Sequence, residues 1–264
     1  MGIIRNNAPK DEPSDGRFAK GMVSWEKHDN DSMSNYTIWQ AAIIAPYISK
    51  KVIEIGAGQG RIASILSKNI KCESYYAQEP SPSFYLELKK ELKNAETSNV
   101  PLEELPSSLR NSFDTVVSVH VLEHIEDDKG FLEDMSKLLK SGGTMVILVP
   151  ALQFLYSELD RNIGHFRRYN KKMFREIAKE LNFDVVACHY SNFAGIFGWL
   201  WFCKIRRYHY QTNKKKTKFI GILNIFDKYV LRLVSFIEKI IHPPIGLNLL
   251  VVLRPREKMK NELK

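Results

Sequence analysis

Val52-Ile53-Glu54-Ile55-Gly56-Ala57-Gly58-Gln59-Gly60 is a short apolar, β-branched run that ends in three alternating glycines. The run over 51–55 has the pattern of a strand buried on both faces, as in a parallel sheet. The glycines after it predict a tight turn whose backbone can approach a ligand, because no Cβ intrudes. Helical spacing resumes at Arg61-Ile62-Ala63-Ser64-Ile65-Leu66, so the turn opens a helix over 60–68. In open α/β sheets, ligands bind at this edge, beyond the carboxyl ends of the strands. A dinucleotide fingerprint needs a glycine where this chain has Arg61, which argues against a nicotinamide oxidoreductase.

Outward from this stretch, strands and helices alternate. Tyr75-Tyr76-Ala77-Gln78-Glu79 reads as a second strand ending in an acid, and Pro82 opens a helix through Lys93. A short third strand is expected near Val100, a fourth over Phe113–Val119, a fifth over Met145–Val149, a sixth over Phe183–Ala187 and a last over Leu247–Leu253. Further helices are expected from Asn35 to about Ile48, from Lys129 to Leu139 with a stop at Ser141-Gly142-Gly143, and from the cap Asn170 to Leu181. This order predicts an α/β fold with a doubly wound, Rossmann-like seven-stranded sheet. More than 50 residues separate the last two strands, too many for a plain loop, so a helical insertion is expected there. The organisation is an N-terminal arm (1–33), a core (34–190), a helical basic and aromatic lid (191–245), and a last strand with a charged tail (246–264).

A chain of 264 residues with 44% hydrophobic and 26% charged residues has the composition of a soluble globular protein, one large domain or one with an elaboration. Its net charge of +9 favours anionic partners. Residues 5–20 are polar and charged, unlike a signal peptide. The three cysteines, Cys72, Cys188 and Cys203, show no metal or disulfide spacing, which points to a reducing cytoplasm. Segment 201–242 holds ten Lys/Arg against two Asp/Glu, with aromatics interleaved and an apolar stripe at Ile222, Ile225, Phe226, Tyr229, Val230 and Leu233. Two readings stay open. The stripe is the inner face of a lid packed on the sheet, the commoner arrangement, or an amphipathic basic helix lying on an anionic inner membrane surface. The run Lys214-Lys215-Lys216-Thr217-Lys218 reads as an exposed hinge.

Four segments, in order, resemble the class I methyltransferases that use S-adenosylmethionine: 52–60, Glu79 after the second strand, the block Phe113–Asp128, and Leu139–Pro150. Within that class, Asp160-Arg161-Asn162-Ile163-Gly164-His165-Phe166-Arg167-Arg168-Tyr169 is similar to the D-x-x-x-G-H-x-R-R-Y segment of a family often found in surface polysaccharide pathways. Pro244-Ile245-Gly246-Leu247-Asn248 fits the same family.

The resemblance implies S-adenosylmethionine as cofactor, with Glu54 accepting a hydrogen bond from its methionine end. Backbone at Gly56, Ala57, Gly58 and Gly60 would pass beside it. Glu79 would accept the ribose hydroxyls, Pro80 and Leu102 would shape the adenosine pocket, and His120 would stand where the chain passes the methyl group. The acid that usually meets adenine after the third strand is displaced or missing here. His165 is the candidate general base, with His120 as a second catalytic residue, because histidine titrates near neutrality. Arg167, Arg168 and Tyr169 are candidates for holding an anionic acceptor. The alternative for these three is that they cover the sheet end and pack.

Some relatives bind a divalent metal through E-x-x-E-H and a further histidine. His120, Glu123 and His124 keep that spacing with histidine first, and His165 would be fourth. The L-E-H-I-x-D pattern is structural elsewhere in the class, and no metal is assigned. The expected function is methyl transfer to a small-molecule or sugar-linked acceptor, at oxygen. The alternatives are an RNA methyltransferase or a non-catalytic protein that binds the cofactor. Nucleic acid is disfavoured because no N-P-P-Y-type motif follows the fourth strand.

Overall fold

The computed structural model describes residues 34–69, 71–93, 95–205 and 226–256. The expected arm, the lysine-rich hinge and the charged tail beyond 256 lie outside the described residues.

Seven strands form one sheet: β1 (Lys51–Ile55), β2 (Ser74–Gln78), β3 (Glu96–Ser98), β4 (Phe113–Val119), β5 (Leu139–Pro150), β6 (Phe183–Ser191) and β7 (Asn248–Pro255). Their order is β3-β2-β1-β4-β5-β7-β6. β1 to β5 pair in parallel, and β7 lies antiparallel between β5 and β6. The doubly wound α/β expectation holds, with one strand reversed. The helices are α1 (Ser34–Ile44), α2 (Arg61–Leu66), α3 (Pro82–Glu91), α4 (Asp128–Ser136), α5 (Glu158–Asn162), α6 (Lys171–Glu180), α7 (Phe193–Trp199) and α8 (Leu231–Ile240). A π-helical turn, Leu200–Ile205, continues α7, and another, Phe226–Val230, leads into α8.

Side chains alternate across the strands, so each face gains its own core. Ile53, Ile55, Val116, Ile147 and Val149 pack against Leu132 and Met135 of α4 and Phe174 and Ile177 of α6. Val52, Val117, Val146 and Leu148 pack the other face against α1, α2 and α3 through Ile44, Ile62, Leu66 and Leu88. Burial on both faces is why β1 reads as a continuous apolar run interrupted by one acid.

Several boundaries move. The third strand is Glu96–Ser98 rather than a stretch near Val100. Ser141-Gly142-Gly143 does not stop a helix. α4 ends at Ser136, and the glycines sit inside β5, where pairing jumps from Phe113↔Leu139 to Thr115↔Thr144. Gly142 and its neighbours form the bulge that absorbs the unmatched residues. Asn170 caps α6 as expected, its side chain accepting from the Met173 amide at 3.0 Å. The described members of the apolar stripe, Tyr229, Val230 and Leu233, are exposed. Ile222 and Ile225 of the stripe lie outside the described residues. Leu231 is the buried residue there.

Candidate active site

The glycine turn leaves β1 at the carboxyl edge. Its amides are held by the end of β2: Gly56 and Ala57 N–H donate to the Gln78 carbonyl at 2.9 Å each, Gly56 N–H also lies 3.0 Å from Gln78 Oε1, and Gly58 N–H donates to Glu79 Oε2 at 2.7 Å. The three glycines differ in purpose. A Cβ at Gly56 would stand 2.4 Å from Val121 Cγ2, and one at Gly60 would stand 2.7 Å from Leu88 Cδ1, so packing bars a side chain at both. At Gly58, with φ of +56°, a Cβ would meet nothing within 4 Å. That glycine faces open space, where a ligand can lie against bare backbone.

Glu79 is buried and divides its carboxylate between the Gly58 amide and the Ser81 amide at 2.8 Å. Asn99, beyond β3, donates to the carbonyls of Glu79 at 2.8 Å and Pro80 at 3.1 Å. Leu102 is buried and starts a short turn on the same side of the sheet. Glu54 is buried and accepts from the Tyr75 hydroxyl at 2.6 Å. Burial pushes its carboxyl up to about 8, with the Glu79 charge adding and the Tyr75 bond opposing.

The folded chain therefore binds this proton more tightly than the unfolded chain, whose carboxyl titrates near 4.5. The Glu54 contribution to stability is complete below pH 4.5 and is lost as pH rises through about 8. The expected slope is up to ~1.4 kcal/mol per pH unit, and Glu54→Gln flattens it. Thermal melts stepped across that window check this.

β4 delivers the second half of the site. His120 follows it with φ of +54°, an uncommon conformation for a side-chain-bearing residue. Its Nδ1 lies 3.3 Å from Glu123 Oε1, and its Nε2 lies 2.7 Å from Gln40 Nε2 on α1. These contacts assign the proton: Nδ1–H donates to the carboxylate, and Nε2 accepts from the amide. The ring is 30% exposed. Glu123 is fully buried, and its Oε2 has no hydrogen-bond partner. Burial raises its carboxyl, but the His120 bond and the fields of His120, His165 and His124 outweigh this and hold it below the ordinary range.

His165 and His124 complete the cluster. Their rings meet edge to face at 4.6 Å, and His165 Nε2 lies 3.9 Å from Glu123 Oε1. Donor atoms of Glu123, His124 and His165 all lie within 4.8 Å of one another, a nitrogen and oxygen set able to hold a divalent cation. Burial lowers His124 to about 4, so it is neutral near pH 7.

Two of the three expected acceptor-binding residues are employed inside the protein. Arg168 is buried, its Nε and Nη2 donating to Asp160 Oδ1 at 2.9 and 2.8 Å, and its guanidinium stacks 4.3 Å from the Trp199 ring centroid. Tyr169 is buried, with its hydroxyl 3.0 Å from Asp128 Oδ2 and 3.2 Å from the Leu122 carbonyl. Neither faces an acceptor, which corrects that reading in favour of packing at the sheet end. Arg167 is partly exposed, although it pairs with Asp128 at 2.7 Å and donates to the Glu126 carbonyl at 2.8 Å. His165 gives its Nδ1 to Asp160 at 2.9 Å, and its side chain is nearly buried. Of the two candidate bases, His120 is the one an acceptor can reach.

Residues 28–188 match the sequence profile of the family described as Methyltransferase domain. The chain belongs to the methyltransferase domain family. It is an enzyme whose cofactor is S-adenosylmethionine.

The methyltransferase is 25% identical over 155 residues to the tRNA U34 carboxymethyltransferase of Hahella chejuensis (strain KCTC 2396), a match covering 53% of this chain and 47% of that protein. The chain thus spans about half the length of the curated relative it matches. Among solved structures, it is similar to a chain of the complex between the Haloferax volcanii Trm112 methyltransferase activator and a methyltransferase. That likeness has a TM-score of 0.61 and 18% identity, covering 93% of this chain and 100% of that one. It is also similar to the plantazolicin methyltransferase BpumL in complex with SAH, with a TM-score of 0.59 and 12% identity, covering 92% and 93%. These likenesses show the fold.

The residues of this methyltransferase fit the cofactor of its family. The space beside Gly58 is where a Cβ would intrude, and the Glu79 carboxylate lies against that glycine. Gln40, Gln78 and Asn99 belong to the site and escape a reading of sequence alone. Gln78 and Asn99 follow strand patterns as ordinary polar residues, and nothing near position 40 signals a partner 80 positions away.

Proposed function

We propose that the methyltransferase moves a methyl group to a hydroxyl oxygen of a small-molecule or sugar-linked acceptor, anionic in character, in surface polysaccharide synthesis. The observation that carries this reading is His120, a partly exposed imidazole whose Nδ1 is oriented by the buried Glu123 carboxylate. The bound cofactor supplies a methyl group already activated on a sulfonium, so the protein needs no covalent nucleophile. Its own residues align and take a proton. His120 Nε2 accepts the hydroxyl proton, and Glu123 stabilises the imidazolium through Nδ1. Gln40 holds the ring in that tautomer before the acceptor arrives. The sugar-linked class is supported by the D-x-x-x-G-H-x-R-R-Y resemblance, and the anionic character by the net charge of +9.

A screen of nucleotide-linked and lipid-linked sugars with labelled cofactor is expected to find the acceptor. On that acceptor, His120→Ala is expected to lower kcat about 100-fold while cofactor affinity holds. Full turnover by that variant would remove the base assignment. A second reading, transfer to tRNA, is supported by the likeness to the tRNA U34 carboxymethyltransferase. Methylation of tRNA and of no sugar in the same screen would replace the first reading.

A further inference from the structure

Behind His120, a line of hydrogen bonds reaches back through α1 to β7. Tyr36 and Gln40 stand one turn apart on α1, so both side chains leave the same face of the helix. Gln40 is buried, and its Nε2 lies 2.7 Å from His120 Nε2. The same side chain is hydrogen-bonded to the Tyr36 hydroxyl. Beyond Tyr36, the buried Asn248 at the start of β7 donates from Nδ2 to that hydroxyl at 2.7 Å. Asn248 pairs with Pro150, the last residue of β5, so the line follows the carboxyl edge of the sheet from β4 to β7. Tyr36 is fixed independently of it. Its backbone amide donates to the buried Asp227 at 2.7 Å, and its ring centroid lies 5.7 Å from that of Trp39.

Direction matters along this line, because an amide side chain has a donor end and an acceptor end of the same shape. Glu123 takes the Nδ1 proton of His120, which leaves a lone pair on Nε2. Only the nitrogen end of Gln40 satisfies that lone pair. A turned amide would set its oxygen against Nε2 and draw the ring proton there, and the base would be lost. Tyr36 decides which end faces the ring. Its oxygen accepts from Asn248 and from Gln40, so it holds the nitrogen end of Gln40 on the side of His120. Burial pushes the phenol up to about 12, against the Asn248 bond, so it stays uncharged near neutral pH. We infer that Tyr36 and Asn248 are positioning residues for His120: they orient the Gln40 amide, which keeps the ring proton on Nδ1 and the lone pair on Nε2. They act through Gln40 and not on the acceptor.

The inference rests on the reading of His120 as the base, but its first test needs no acceptor. The full chain, with isotope-labelled histidine, is read by imidazole NMR at about pH 8.5, where free imidazole is neutral. His120 is identified among the seven histidines by its loss in His120→Gln. The native chain is expected to carry the His120 proton on Nδ1. Y36F keeps the ring beside Trp39 and removes only the hydroxyl. It is expected to give a mixture of both tautomers, and N248A to move the ring the same way by a smaller share. On the acceptor found in the sugar screen, Y36F is expected to lower kcat about fivefold, with KM and cofactor affinity within about twofold. A merely structural loss would weaken cofactor binding as well. An Nε2–H ring in the native chain, or a tautomer unchanged in both variants, would overturn the inference. So would an unchanged kcat in Y36F where His120→Ala is inactive. A tautomer that shifts in Y36F while His120→Ala turns over fully would uphold the positioning and remove the base assignment alone.

Discussion

Asp160→Ala is expected to destabilise the protein by about 3–5 kcal/mol, more than any other single side-chain deletion in the site. Asp160 is fully buried and accepts from five donors: the Ser157 amide and hydroxyl at 2.8 and 2.9 Å, His165 Nδ1 at 2.9 Å, and two nitrogens of Arg168. Truncation leaves the buried Arg168 guanidinium without a counter-charge, which costs far more than the ion pair contributes over a neutral replacement. It also removes the Asp160 half of the capping box that Ser157 and Asp160 form at the start of α5. The two losses share one carboxylate and do not add. Burial alone would raise the Asp160 carboxyl, but the His165 bond and the Arg168 charge outweigh it and hold it below the ordinary 3.8. The pair's contribution is therefore complete above that pH and is lost as pH falls below it. Urea denaturation at neutral pH checks the magnitude. D160A/R168M is expected to be less damaged than D160A, because the stranded charge is gone. A D160A loss under about 1 kcal/mol would show that water reaches Arg168 and that the site is not dry.

Gly246→Ala is the second large effect expected. A Cβ there would stand 2.3 Å from the Ser191 carbonyl oxygen, 2.6 Å from its nitrogen and 2.8 Å from its carbonyl carbon. All three are backbone atoms of β6, so no side chain can turn aside. The strand ends are also tied: Leu247 N–H donates to the Asn192 carbonyl at 3.1 Å, and Ala151 N–H donates to the Leu247 carbonyl at 2.8 Å. A shift to relieve the clash would break pairing on both sides of β7. The expected cost is about 3 kcal/mol, the upper end for overpacking, with a matching fall in melting temperature. Gly198→Ala is the control, since its Cβ meets nothing within 4 Å and its backbone lies outside the left-handed region. A small change at Gly246, or an equally large one at Gly198, would remove the role given to Gly246.

What could be read from sequence depended on how local the cause is. β1, the glycine turn and the acid ending β2 were legible because β-branched runs and glycine act within a few residues. The Asn170 cap was legible for the same reason. The twelve-residue β5 was not, because Gly142-Gly143 looks like a helix stop unless the jump in pairing with β4 is known. Arg168 looks like half of an exposed basic pair. Its burial depends on Asp160 and Trp199, which approach from other elements. His120 was recognised by its place after β4, but its partner Gln40 comes from a helix whose sequence shows only an apolar pattern. The direction of the stripe in α8 was left open because an apolar stripe reports that one face is apolar, not which way that face points.

The antiparallel β7 sits between β5 and β6 and pairs with both, its first six residues buried. On a ribosome, it is the last of the described strands to emerge. Until residue 255 is clear of the exit tunnel, β5 and β6 each present an unpaired backbone edge to solvent. β6, which pairs with β7, must wait outside the five-stranded parallel part of the sheet as an aggregation-prone nascent segment. A premature stop that removes only β7 would leave the β5 edge open and β6 without the strand it pairs with.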